Sequence, residues 1–357
     1  MDLSARRPGP DVARALAMAG VVVMNYHGYL ILDGAPRDGG ALYDVFDPWT
    51  GPLSTRFAAL FVLTAGVGVT LMTQSSMADP VRRREVQWRL VRRGVLLYTF
   101  GLLFDFIWPG TILPYYGAMF VLAAALVTLR DRWLVVVGAL AALAGWLANW
   151  WVYERRLDDQ PVDWLTDPGN RSPVGLLIDV LFNGTHPVLP WLAFLCAGIV
   201  LGRLLSSNGA SWQPAAVATG LGLYVVATIA AASPTTDRAL ELLSDDPFDR
   251  SVVYTASALG TSLLAFTAIA ATANRFEHTA IVDWLRRAGQ LSLTIYIGHA
   301  LVFNLVVDWL DLLQPDGIGV ALGSAVAYWL VATGLAVAYQ RAYGRGPAER
   351  LYRRLTA

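Results

Sequence analysis

Val12-Ala-Arg14-Ala-Leu-Ala-Met-Ala-Gly-Val-Val-Val-Met-Asn25-Tyr-His27-Gly-Tyr-Leu-Ile-Leu32 carries a single charge, Arg14, in a run long enough to cross a bilayer. Similar runs recur along the chain at about Leu53–Thr73, Val91–Trp108, Ile112–Leu129, Trp133–Val152, Pro187–Leu205, Pro214–Ala232, Val252–Ala273, Gln290–Leu310 and Gly319–Tyr339. In lipid each segment must satisfy its own backbone hydrogen bonds, so each is read as a helix. The sequence therefore predicts an all-α polytopic membrane protein of about ten transmembrane helices, with residues 1–357 as one domain. The first run is too long for a signal-peptide core and lacks a cleavage site, so it is kept as a span.

Composition agrees with this. Of the 357 residues 55% are hydrophobic and 15% charged, whereas a soluble domain carries about 25% charged residues. A soluble enzyme, a disordered chain and a nucleic-acid binder with a basic surface are all excluded. The lone Cys196 excludes a disulfide framework and a thiolate metal site, and no metal-ligand spacing is present.

Basic and acidic residues balance at 27 each, and every basic side chain is arginine. With the N-terminus inside, the inner segments hold Arg6, Arg7, the cluster Arg82–Arg93, Arg130, Arg132, Arg203, Arg275, Arg286, Arg287 and the C-terminal arginines. The outer loops hold only Arg37, Arg155, Arg156, Arg171, Arg238 and Arg250. That asymmetry predicts both termini on the cytoplasmic side.

Polar residues inside spans are costly and mark interior or functional positions. At 100° per residue Arg14 and Asn25 fall on one face of the first helix, about 16 Å apart along the axis. His27 points away from Arg14 while the helix is regular; unwinding at Gly28 would turn it inward. Ser292, Tyr296 and His299 are spaced i, i+4, i+7 and make a polar stripe, with His299 either bridging helices or lining a substrate path. Asp179, Asn183 and His186 repeat that spacing on a segment, Val174–Phe182, too short to cross. Gly198 and Gly202 predict close helix packing, and His278 is expected at the surface. The arginines of Val81–Arg93 read either as topology anchors or as a dock for a phosphorylated ligand, the helix N-terminus there adding amide donors.

Several segments together resemble one family. Asp11-Val-Ala-Arg14 running on to Met24-Asn25, Arg56-Phe-Ala-Ala-Leu-Phe-Val-Leu-Thr-Ala-Gly66, His186-Pro-Val-Leu-Pro-Trp191 through Gly202-Arg203, and Gly289-Gln-Leu-Ser-Leu-Thr-Ile-Tyr296-Ile-Gly-His299 are similar to blocks of the heparan-α-glucosaminide N-acetyltransferase catalytic family and its bacterial relatives. The resemblance implies a membrane acyltransferase that moves an acetyl group from cytoplasmic acetyl-CoA to an acceptor, often a sugar, on the far side. Many bacterial relatives have histidine where this chain has Asn25. The animal enzymes share the asparagine and place a reactive histidine in the first outer loop, where this chain has Asp47-Pro48-Trp49.

The expectation is thus an integral protein of a bacterial cytoplasmic membrane that acylates an extracytoplasmic glycan or lipid-linked acceptor, with a homodimer left open. Arg89, Arg92 and Arg93 would hold the donor phosphates, with Arg14 and Tyr296 along its arm. Asn25 would steady the reacting carbonyl, and His27 or His186 would serve as base, with His299 among the catalytic candidates but better placed to hold Tyr296 or the donor's arm. Two rivals remain at this point: a transporter or flippase without chemistry, and a structural or assembly protein.

Overall fold

The computed structural model describes residues 7–168, 172–207 and 212–356; Arg6 and Arg171, used above in the charge distribution, lie outside them. Every regular element among the described residues is helical. The longer helices are α1 (Gly9–Leu32), α2 (Arg56–Thr73), α3 (Pro80–Phe104), α4 (Leu113–Leu126), α5 (Asp131–Leu157) and α6 (Val188–Ser207). They continue with α7 (Trp212–Ala231), α8 (Val252–Arg275), α9 (Ala280–Gln290), α10 (Ser292–Asn304), α11 (Ile318–Tyr343) and α12 (Pro347–Leu355).

Eight helices among the described residues are long and apolar enough to cross a bilayer: α1, α2, α5, α6, α7, α8, α11, and α10 with the π-helical turn Leu305–Trp309 that prolongs it. The chain is an integral multi-pass membrane protein. Two of the ten expected spans fall outside this set. The run Val91–Trp108 is the apolar end of α3, whose first half carries the arginines, and α4 has 14 residues, about 21 Å against a hydrocarbon core of about 30 Å.

Contacts divide the chain into two compact units, one of Met1–Phe61 and Leu264–Leu355, the other of Val62–Leu263 and Thr356–Ala357. In the first unit α1 packs against α9, α10 and α11. Gly289 lies directly against the backbone of Asp11, a contact that leaves no room for a side chain. The Asp11 carboxylate accepts from Gln290 Nε2 at 3.0 Å, and Gln290 in turn accepts from Gln340 Nε2 at 3.1 Å. These bonds tie α1, α9 and α11 at the Arg14 end of α1.

In the second unit α3 and α4 form an antiparallel pair, and α5 packs along α6. Gly198 meets the Leu63 carbonyl and Gly66, and Gly202 lies against Thr70, whose hydroxyl donates to the Ile199 carbonyl at 2.9 Å. The small-residue pair read from the sequence is therefore a close helix crossing. Arg203 donates to the Val127 and Leu129 carbonyls, each at 2.8 Å, and to Asp131 at 2.6 Å, closing one end of this unit. The short segment Pro173–Ile178 is helical and passes into a π-helical turn, Asp179–Asn183. That turn ends the helix before His186, so the expected single stripe of Asp179, Asn183 and His186 does not form.

Candidate functional site

In the first unit α1 runs unbroken through Gly28 to Leu32, so the unwinding considered for His27 does not occur. Asn25 and His27 consequently leave the helix in different directions. Asn25 Nδ2 donates to His299 Nε2 at 3.0 Å, joining residues from opposite ends of the chain. His299 is fully buried, and its Nδ1 bonds the Tyr296 carbonyl. A carbonyl only accepts, so Nδ1 carries the proton and Nε2 the lone pair that receives the Asn25 amide. The His299 carbonyl accepts from the Tyr26 hydroxyl at 3.0 Å, and the Ile295 carbonyl from the Tyr328 hydroxyl at 2.6 Å. Phe303 closes on the Tyr26 ring edge-to-face, with centroids 5.1 Å apart.

His27 turns toward the segment after α1. Its Nδ1 donates to the Phe46 carbonyl at 2.7 Å, and the Tyr43 ring stands edge-on to the imidazole with centroids 5.2 Å apart. The same logic puts the proton on Nδ1 and leaves the Nε2 lone pair without a partner among the described residues. Just beyond, Asp47 Oδ1 accepts from the Trp49 and Thr50 amides at 2.9 and 2.8 Å. Burial raises the pKa of this carboxyl, but the Thr50 and Trp49 bonds outweigh it and leave it below the ordinary value. Arg14, at the other end of α1, stands 3.8 Å from the Asp11 carboxylate.

In the second unit Arg84, Glu85, Trp88, Arg89 and Arg92 line an open hollow along one face of α3. Arg89 and Arg92 are exposed, and so is the neighbouring Trp88 indole. Arg93 is set apart, since its guanidinium bonds the Met72 thioether. The helix N-terminus expected to add phosphate donors is closed by the chain itself. Asp79 Oδ1 accepts from the Val81 and Arg82 amides at 2.9 and 3.4 Å.

His186, also in this unit, packs edge-to-face on Trp191 with centroids 4.6 Å apart and tilted against Tyr115 at 6.1 Å. Its Nδ1 is buried without a hydrogen-bond partner, and burial pushes its pKa down to about 3. His278 is on the surface, as expected. No group of three or more His, Cys, Asp or Glu side chains gathers as metal ligands among the described residues.

Three contributors were missed in the sequence: Tyr26, Tyr328 and the Phe46 carbonyl. The two tyrosines had a usable signal, because a hydroxyl inside a span needs a partner. A backbone acceptor in a loop has no such signature.

Residues 6–229 match the family described as heparan-alpha-glucosaminide N-acetyltransferase, catalytic, over more than half of the chain. The chain belongs to that family. Residues 191–357 also match a family described only as a protein of unknown function, and the comparison with curated proteins returned no match. The N-acetyltransferase match takes in Arg14, Asn25, His27, Arg89, Arg92, Arg93 and His186, whereas Tyr296 and His299 lie in the second match. The Asn25–His299 bond thus joins a residue of one matched region to a residue of the other. Membership makes this a membrane acetyltransferase-like chain, and the family uses acetyl-CoA as its co-substrate in general.

Proposed function

We propose that the protein is an acyl-CoA-dependent acetyltransferase of a bacterial cytoplasmic membrane, moving an acetyl group from the cytoplasmic side to a hydroxyl or amine acceptor on the other side. The observation that carries it is the state of the histidines on α1 and α10. His299 Nε2 is already occupied by Asn25, whereas His27 is oriented by a carbonyl at Nδ1 and keeps a lone pair on Nε2. An imidazole held in one tautomer with its other nitrogen unbonded is the arrangement a general base needs.

In this scheme His27 Nε2 takes the proton from the acceptor as its oxygen or nitrogen bonds to the acetyl carbon. Asn25, which leaves α1 in a different direction from His27, spends one N–H on His299 and so holds α10 against α1. As the thioester carbon–sulfur bond breaks, His27 returns the proton to the sulfur. His299, Tyr26 and Tyr328 position Asn25 and take no proton. Arg84, Arg89 and Arg92 suit the donor's phosphates, and the exposed Trp88 face suits its adenine ring. The excess of arginine at that end of α3 supports placing it in the cytoplasm.

The test uses inside-out vesicles holding glucosamine, with acetyl-labelled acetyl-CoA added outside. Label appearing on luminal glucosamine, with free CoA released outside, is the expected result. Binding of acetyl-CoA without loss of its acetyl group would favour a carrier over an enzyme.

A further inference from the structure

A cavity of about 210 Å³ opens in the second unit among α5, the short helix Asp163–Thr166, the π turn Asp179–Asn183 and the segment before α8. It lies along the C-terminal half of α5, about 21–38 Å along that helix from the end closed by Arg203. Two arginines, Arg156 and Arg250, and two amides, Asn149 and Asn183, line it, together with the phenyl rings of Phe182 and Phe248; no carboxylate does.

Arg250 is the unusual member. Its guanidinium donates to the carbonyls of Phe182, Asn183 (2.7 Å) and Gly184 (3.1 Å), and it makes no ion pair among the described residues. The carbonyls take three of its five N–H groups and leave its charge standing, with Asp179 acting on it through space. Burial lowers its pKa, to about 10, so it remains a cation at neutral pH. Its backbone is in the left-handed region, φ 54°, a conformation disfavoured for a residue with a long side chain. Arg156, at the rim, is exposed and its side chain makes no hydrogen bond or ion pair among the described residues; Glu241 is the acid within electrostatic reach of it.

Two guanidiniums without an ion pair among the described residues, two amides and two phenyl faces form a recognition set of definite chemistry. The guanidiniums select an anion, preferably a planar carboxylate. Asn149 Nδ2 donates one hydrogen to the Asp249 carbonyl at 2.7 Å; its second N–H, its Oδ1 and the Asn183 amide remain for hydroxyls, and flat aromatic faces accept the C–H face of a sugar ring. The volume is below the usual ligand range of about 300–1,000 Å³, which limits the occupant to a single ring. We propose that this cavity is a binding site for an acidic monosaccharide, its carboxylate on Arg156 and Arg250 and its hydroxyls on Asn149 and Asn183. It uses none of the residues assigned to acetyl transfer, and binding here does not require that reading to hold.

The probe is glucuronate, titrated calorimetrically against the full-length protein in nanodiscs, with glucose and acetate as controls. Glucuronate is expected to bind at least about tenfold more tightly than either control, the step of one hydrogen bond to a charged group. Arg156→Gln is expected to weaken glucuronate about tenfold on the same grounds, with an unchanged unfolding temperature because that exposed side chain makes no hydrogen bond or ion pair among the described residues. Failure of glucuronate to bind, equal binding of acetate, or an Arg156→Gln variant with wild-type affinity would each overturn the proposal. Acetyl transfer plays no part in the readout, so loss of the transferase reading leaves these outcomes intact.

Discussion

Removing the Asn25 amide should expose how much of the first unit depends on one long-range hydrogen bond. His299 is fully buried, its Nδ1 committed to the Tyr296 carbonyl and its Nε2 to Asn25. Asn25→Ala leaves that Nε2 buried without a donor, a loss of about 1–3 kcal/mol. His299→Ala removes a buried ring and orphans the Asn25 amide instead, about 2–5 kcal/mol by analogy with other large-to-small core changes. The double variant contains neither orphan, so its destabilisation should fall short of the sum of the singles by about 1–3 kcal/mol. The assay is reversible unfolding in mixed micelles with increasing SDS, followed by tryptophan fluorescence, for all four members of the cycle. Additivity within about 0.5 kcal/mol would mean that the two side chains do not share a bond, and the geometry assigned to Asn25 would fail with it.

Arg89→Gln with Arg92→Gln should weaken acetyl-CoA binding roughly tenfold or more at unchanged stability, whereas Arg93→Gln, which loses its contact with Met72, should act mainly on stability; equilibrium dialysis and a thermal melt separate the two. Burial holds His186 far below its ordinary pKa of 6.5, so the folded state binds fewer protons than the unfolded one between about pH 3 and 6.5. Stability is then full above pH 6.5 and falls as pH drops below it. A His186→Gln variant should show a flatter dependence of unfolding temperature between pH 7 and 5. Cysteines introduced at Asp159 and Asp245 should react with an impermeant maleimide from outside and those at Arg83 and Arg345 only from inside, against the low background of the one native thiol, Cys196, which is buried.

Much of the fold is legible in the sequence because lipid enforces one rule on every apolar run. The α1 stretch is the clearest case: its 100° periodicity put Arg14 and Asn25 on one face and His27 on another, and the unbroken helix keeps them so. The span count was harder to read. Hydropathy alone does not show that the arginines of Val81–Arg93 and the apolar residues after them belong to one continuous helix, α3, or that α4 stops at 14 residues. The π turn at Asp179–Asn183 broke a 3.6-residue spacing that assumed a regular helix, and so the relation of His186 to Asp179 was misread. At the candidate site Asn25, His27 and His299 were visible, but not their partners. Asn25 and His299 are 274 residues apart, and nothing local in either segment names the other. The Phe46 carbonyl that orients His27 is backbone, which any residue at that position would supply. Asp79 was not read as a cap, although an aspartate just before Pro80 carries that signal, and it closes the amides expected to attract phosphate.

The central claim is that His27, and not His299 or His186, removes the acceptor's proton. Single-turnover acetyl transfer from acetyl-CoA, measured side by side for His27→Ala, His299→Gln and His186→Gln with donor affinity determined separately, tests it most directly. His27→Ala should lose about two to four orders of magnitude in the transfer rate with donor affinity unchanged, while the other two variants keep transfer within about tenfold and show their defects in stability. Near-normal transfer by His27→Ala, together with its abolition in either of the others, would contradict the assignment.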